Sequence, residues 1–279
     1  MFILLFVGFI FLILIRVPVS IAIGAAVLMT FLTSDFSDSL YIIPQQILEG
    51  VNKPSLAAVP FFIMAGNLMN VVGMTDRIFN FANALVGHFK AGLAQVNVLS
   101  SMIFAGVSGA AVADCAGLGA IEIKAMKERG YKPEFAAAVT VCSAVVGPII
   151  PPSIGLVIFA FLAQQSVERM FLAGMIPGII IGLSLMLFNR LLAIKHNFPT
   201  QKKASSKEVI SSAWDGILAL VAPGIILGSI LGGFVTATEA GVLACVYSMM
   251  LGLFYKTLNF SNLWKALTDT MLMTSVIMI

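Results

Sequence analysis

Gly147-Pro148-Ile149-Ile150-Pro151-Pro152-Ser153 sits in the middle of an apolar run, 135–162, and puts three prolines into five residues. Each ring removes a backbone donor and clashes with the preceding turn, so the run cannot be one unbroken helix. The residue before each proline is also pushed towards extended geometry. Carbonyls around 144–150 therefore lose their helical partners. At membrane depth such groups are tolerated only where they face protein, water or a ligand. A small hard cation such as Na⁺ is an apt partner, because it wants several oxygens and neither nitrogen nor sulfur. The bland alternative is a proline kink. One proline would favour the kink; a cluster of three favours a site.

The rest of the chain puts this break inside a membrane. Of 279 residues, 59% are hydrophobic and 10% charged, against roughly 25% charged in a soluble domain. Apolar runs fall at 1–33, 56–72, 96–121, 135–162, 170–192, 213–233, 238–255 and 265–279. Strict alternation is absent, so all are expected to be helices: an all-α, multi-pass membrane protein in contact with the lipid bilayer. The first run, broken at Arg16-Val17-Pro18, is either one long tilted helix or two short ones. No basic residue precedes its apolar start, so it reads as a retained segment rather than a cleaved signal. The stretch 75–90 has Ile78, Phe79, Ala82 and Leu85 opposite Asp76, Arg77, Asn80 and Asn83, the pattern of an amphipathic helix at the membrane surface.

Composition excludes several functions. A net charge of +3 suggests no nucleic-acid partner. Cys115, Cys142 and Cys245 form no CxxC pair, and there are only two histidines, so neither zinc nor haem is expected. No GxxxxGK[ST] loop for ATP occurs. The chain does not read as an enzyme: Asp114 is the one acid deep in an expected span, and no serine–histidine pair lies in the membrane.

Loops 73–95, 122–134, 190–212 and 256–265 hold thirteen lysines and arginines, while Lys53 and Arg169 alone lie in the opposite loops. The positive-inside rule makes the richer side cytoplasmic. That scheme turns 96–121 into a re-entrant hairpin; a single crossing gives twelve against three, so charge does not decide. The arms 96–107 and 110–121 are each about 18 Å long at 1.5 Å per residue, roughly half a bilayer. They flank the small tip Ser108-Gly109. The start of the returning arm would aim its N–H groups at the tip, a seat for a carboxylate. Close helix packing uses the same small residues and is an equal alternative.

Three polar residues stand out. Asp114 is an acid in a membrane segment, which points to an ion or substrate pathway, with a hairpin-bracing hydrogen bond as the alternative. Asn67 reads more readily as a helix–helix hydrogen bond than a ligand contact. Glu239 reads as a first-turn acid in a helix capped by Thr236 or Thr238. The expected organisation is 1–92, N-terminal helices forming a scaffold, with the surface helix; 93–165, hairpin and broken helix forming the transport core; 166–212, a helix and basic loop; and 213–279, the start of a second repeat.

Arg16-Val17-Pro18-Val19, AVPFFIMAGNLM at 58–69, SGAAVADCAGLGAIEIKAMKERGY at 108–131, GPIIPPS at 147–153 and TATEA at 236–240 together resemble the large membrane subunit of the tripartite ATP-independent periplasmic (TRAP) transporters. The resemblance runs through nearly the whole chain. It implies an elevator transporter of the bacterial inner membrane, driven by a sodium gradient. Its partners would be a small four-helix membrane subunit and a periplasmic substrate-binding protein, and its substrates organic acids such as C4-dicarboxylates and sialic acids. Carried over, the Na⁺ ligands are carbonyls of Ala105 and Ser108, and of Gly147, Ile150 and Pro152. Family members usually have serine where Ala105 stands, which a carbonyl ligand does not need. Substrate is expected at Ser108, Gly109, Ala110, Pro151 and Ser153, with Asp114, Asn67 and Glu239 in support. Family members are two inverted repeats, and only the first is complete within 279 residues; the expectation is a truncated product or one part of a longer chain. A stand-alone sodium–anion symporter without a binding protein is the alternative.

Overall fold

The structure is a computed structural model describing residues 2–33, 40–196, 198 and 201–278. Residues 197, 199 and 200 of the expected basic loop lie outside the described residues. The described elements are helical. One compact unit comprises residues 1–53 with 275–279, and a second comprises 54–274.

In the first unit the opening apolar run is two helices, α1 (Phe2–Leu14) and α2 (Val19–Leu32). Arg16 takes a left-handed conformation at the break, φ 65°, and Pro18 precedes the first turn of α2. That settles the choice left open by the sequence. α1 buries none of its side chains, and α2 buries only Ala22, Ala26 and Thr30, a stripe at spacing four. Their apolar surfaces are what a helix presents to lipid. The sequence reading also missed a further helix, α3 (Ile42–Val51).

The second unit starts with a 3-10 turn, Pro54–Ala57, leading into α4 (Ala58–Val71). α4 bends by 72° into α5 (Met74–Val86), with Gly73 at φ +80° making the corner. α5 is the expected amphipathic helix, with one correction. Its buried face is Met74, Ile78, Ala82 and Val86, and Leu85 points outward.

α6 (Gly92–Ser108), α7 (Ala111–Ala116) and α8 (Leu118–Glu128) follow. α9 (Pro133–Ala144) and α10 (Ile154–Leu162) are the two halves of the proline-broken run. Then come α11 (Val167–His196), α12 (Ser206–Leu231), α13 (Ala237–Phe254) and α14 (Phe260–Met278). Among the described residues, α11, α12 and α13 are each long and apolar enough to cross a membrane, and the bent α4–α5 pair makes a fourth if counted as one span. α11 stays one helix of 30 residues despite Pro177. A lone proline is absorbed; the cluster at 148–152 is not.

α6 is the hub. Fourteen of its residues are buried, and it packs against α4, α5, α8, α9, α11 and α12. Glycines set the approaches: a Cβ on Gly106 would lie 2.8 Å from Pro223 Cβ of α12, and one on Gly66 of α4 would lie 3.2 Å from Ser108 Cα. α13 meets α4 at Gly241, where a Cβ would come 2.8 Å from Phe61 Cβ.

Candidate functional site

Two interruptions of helix meet in the core of the second unit. α6 ends at Ser108, Gly109 turns the chain at φ +60°, and Ala110 is extended before α7 begins. The turn falls where the tip was expected, but the arm before it is longer than the twelve residues 96–107: α6 has 17. The returning arm differs from expectation: it is not one helix over 110–121 but two, parted at Gly117. A Cβ there would lie 2.7 Å from Asn70 Oδ1 of α4, so α4 fills the space that a continuous helix would need for a side chain. α7 is left with six residues.

The second interruption runs from Val145 to Ser153, between α9 and α10. The Pro151–Pro152 bond is cis. Ser153 caps α10, accepting from Leu156 N–H at 3.2 Å and donating to the Pro148 carbonyl at 2.6 Å. Its hydroxyl is thereby committed, and what Ser153 offers a ligand is backbone.

The two breaks touch directly. Ile154 N–H donates to the Gly109 carbonyl at 3.3 Å. A Cβ on Gly109 would come within 2.6 Å of the Pro152 carbonyl and 3.1 Å of Ser153 Cα. On the other side of the tip, Ser108 Oγ donates to Asp114 Oδ1, and Asp114 Oδ2 lies against Gly147, where an added Cβ would be 2.5 Å away. Asp114 is 1% exposed, and its Oδ2 has no hydrogen-bond partner.

The carbonyls expected at the ion divide. That of Ala105 accepts the Gly109 N–H at 3.3 Å, closing α6. Among the described residues no donor meets those of Ser108, Gly147, Ile150 and Pro152. All four residues are buried. Buried acceptors without donors are costly, and oxygens without an N–H are what a hard cation requires. The residues present fit Na⁺.

The supporting residues divide. Asp114 belongs to the tip. Asn67 Nδ2 donates to Thr270 Oγ1 of α14 at 3.0 Å, a bond between helices as its position in α4 suggested. Beside it lies a cavity of about 440 Å³ lined by Asn67, Asn70, Gly117, Asn262, Lys265 and Asp269. Glu239 closes a capping box at the start of α13: its Oε2 accepts from Thr236 N–H at 2.7 Å and Thr236 Oγ1 at 2.9 Å. Its carboxylate is spent on the cap.

Sequence reasoning missed a polar seam between α6, α8 and α9. Asn97 Nδ2 donates to Thr140 Oγ1 at 2.7 Å, Ser143 Oγ donates to Asn97 Oδ1 at 2.6 Å, and Ser100 Oγ donates to Glu122 Oε1 at 2.6 Å. Glu122, expected in the loop 122–134, lies on α8 and is 1% exposed. The available signal was Asn97 with Ser100, and Thr140 with Ser143, each pair at i, i+3 in an apolar helix.

The model of the DctM component of the tripartite ATP-independent periplasmic transporters matches residues 6–279. The sialic acid TRAP transporter large permease protein SiaM of Vibrio cholerae is 40% identical over 252 residues, covering 90% of this chain and 59% of the relative. The 2,3-diketo-L-gulonate TRAP transporter large permease protein YiaN of Escherichia coli is 39% identical over 238 residues, 85% of this chain and 56% of the relative. The C4-dicarboxylate TRAP transporter large permease protein DctM of Pseudomonas aeruginosa is 36% identical over 242 residues, 86% and 57% respectively. The chain thus spans less than three-fifths of the length of these relatives, which are permeases and not enzymes.

Proposed function

The chain belongs to the tripartite ATP-independent periplasmic transporter family as a DctM component, a multi-pass membrane protein, and on that premise we propose that it imports an organic acid by sodium coupling. The hairpin tip and the proline break form one half of the transport site. Carbonyls of Ser108, Gly147, Ile150 and Pro152, with that of Ala105 at the edge, hold Na⁺. The substrate carboxylate sits at Ser108, Gly109 and Ala110 beside Pro151 and Ser153, met by backbone N–H groups where α7 begins. Asp114 braces the tip through Ser108.

The observation that carries this reading is the junction itself: two helix interruptions share a hydrogen bond, and the carbonyls of four buried residues there meet no donor among the described residues. In an elevator cycle the hairpin and the broken helix would travel together with ion and substrate, which their mutual anchoring favours. The substrate class rests on the relatives, whose names give sialic acid, 2,3-diketo-L-gulonate and C4-dicarboxylates, all organic anions. A small membrane subunit and a periplasmic binding protein complete the tripartite assembly in the inner membrane.

Uptake of a labelled organic acid into vesicles holding the assembled permease tests the reading. Uptake is expected to need a sodium gradient, and replacing Pro151 and Pro152 together by alanine to weaken the apparent sodium affinity. Unchanged sodium affinity in that variant would remove the break from the ion site.

A further inference from the structure

Glu122 lies on α8 away from the tip, in no role that sodium coupling uses. Its Oε1 accepts from Ser100 Oγ at 2.6 Å, and its Oε2 has no hydrogen-bond partner although the residue is 1% exposed. No base faces it. α6 has no ionisable side chain. α7 brings Asp114, another acid, and Cys115; α9 brings Glu134 and Cys142, both exposed. On α5, Asp76 is exposed, and the Arg77 guanidinium is engaged by the Asp215 carbonyl at 2.9 Å and the Tyr255 ring at 3.9 Å. Lys124, Lys127 and Glu128 of α8 itself are exposed.

An ionised carboxylate removed from water with no counter-charge is the costliest arrangement a core can hold. A proton on Oε2 cancels the charge, which removes the larger part of that cost. Ser100 is suited to follow that change. Its hydroxyl has one hydrogen and three acceptors in reach, Glu122 Oε1, the Val96 carbonyl at 2.7 Å and the Asn97 carbonyl at 3.2 Å. It can let go of the carboxyl without being left unpaired.

We propose that Glu122 is a proton-binding site of the returning arm: Oε2 holds the proton while α8 stays packed on α6 and α9, and passes it to water when the base of the arm opens. The packing of the arm then depends on proton concentration, through a residue that does not touch the tip.

Infrared difference spectroscopy on the chain in lipid nanodiscs tests this. The wild type is expected to show a protonated-carboxyl stretching band that Glu122→Gln removes and that gives way to carboxylate absorption as pH rises. Asp114→Asn assigns the second buried acid separately. Ser100→Ala leaves Glu122 in place and is expected to shift the same band by removing its hydrogen bond. A band untouched by Glu122→Gln, one that does not change with pH, or one that Ser100→Ala fails to move would each overturn the proposal. Sodium-dependent behaviour measured in the same samples is read independently, so loss of the sodium site leaves this result interpretable.

Discussion

Ile154 N–H donates to the Gly109 carbonyl at 3.3 Å, so the first residue of α10 is tied to the turn from which the returning arm leaves α6. One hydrogen bond thus joins two interruptions 45 positions apart in sequence. Gly109 makes it possible twice over, by its positive φ and by lacking a Cβ where the Pro152 carbonyl passes. Such a junction couples the two breaks by contact.

Gly109→Ala is the direct probe of this junction. A left-handed alanine costs about 1–2 kcal/mol before any contact is counted, and its Cβ would lie 2.6 Å from the Pro152 carbonyl. The variant is expected to unfold at lower temperature in nanodiscs. On the ion site proposed above it should also lose stabilisation by Na⁺, since an ion that binds only the folded state raises its stability by mass action. Full retention of the sodium effect would separate the turn from the ion site.

Gly241→Val probes packing between helices, away from the site. The added Cβ would start 2.8 Å from Phe61 Cβ, where α13 also hydrogen-bonds to α4 through Cys245 Sγ and the Phe61 carbonyl at 3.1 Å. Overpacking of this kind costs about 1–3 kcal/mol. Stability should fall while the sodium effect on unfolding persists, the reverse of Gly109→Ala in the second respect.

Asn67→Leu tests whether this amide acts on ligand or on architecture. Its bond to Thr270 joins α4 to α14, and Thr270 Oγ1 keeps its own bond to the Ala266 carbonyl at 2.6 Å when Asn67 is lost. Interhelix hydrogen bonds in membranes average about 0.6 kcal/mol, so a loss near 1 kcal/mol in a denaturant titration is expected, with sodium binding unchanged. A selective loss of sodium binding would move Asn67 into the site.

How much of this was legible beforehand depends on the range over which each cause acts. Proline acts on its own turn and the residue before it, so the end of α9 at Ala144 and the start of α10 at Ile154 could be placed from 147–153 alone. The cap of α13 was equally local, with Thr236 and Glu239 three residues apart. The break at Gly117 was not, because it is one small residue among many in SGAAVADCAGLG and what singles it out is Asn70, 47 positions earlier. Glu122 was hidden for a similar reason. Its basic neighbours Lys124 and Lys127 read as loop, while the burial comes from α6 and the hydrogen bond from Ser100. The junction of Gly109 with Ile154 was implied only by both ends being broken.

The contact between Asp114 and Gly147 makes the sharpest test of the tip. A Cβ on Gly147 would lie 2.5 Å from Asp114 Oδ2 and 3.1 Å from the Ala144 carbonyl. Gly147→Ala should therefore destabilise the chain and weaken sodium binding. Asp114→Ala removes the obstructing carboxylate and frees Ser108 Oγ, which is costly by itself because a buried hydroxyl loses its partner. With both changes the new methyl occupies space that the carboxylate vacates, so the double variant should be less damaged than the sum of the singles. Residues in contact typically couple by about 0.5–3 kcal/mol, and a coupling in that range, read from unfolding of the four proteins, is expected. Additive losses would mean that Asp114 does not press on the break at Gly147. Asp114→Asn keeps the volume and an acceptor for Ser108, so it separates charge from shape: reduced uptake with near-normal stability would show that the carboxylate, and not only its bulk, serves the tip.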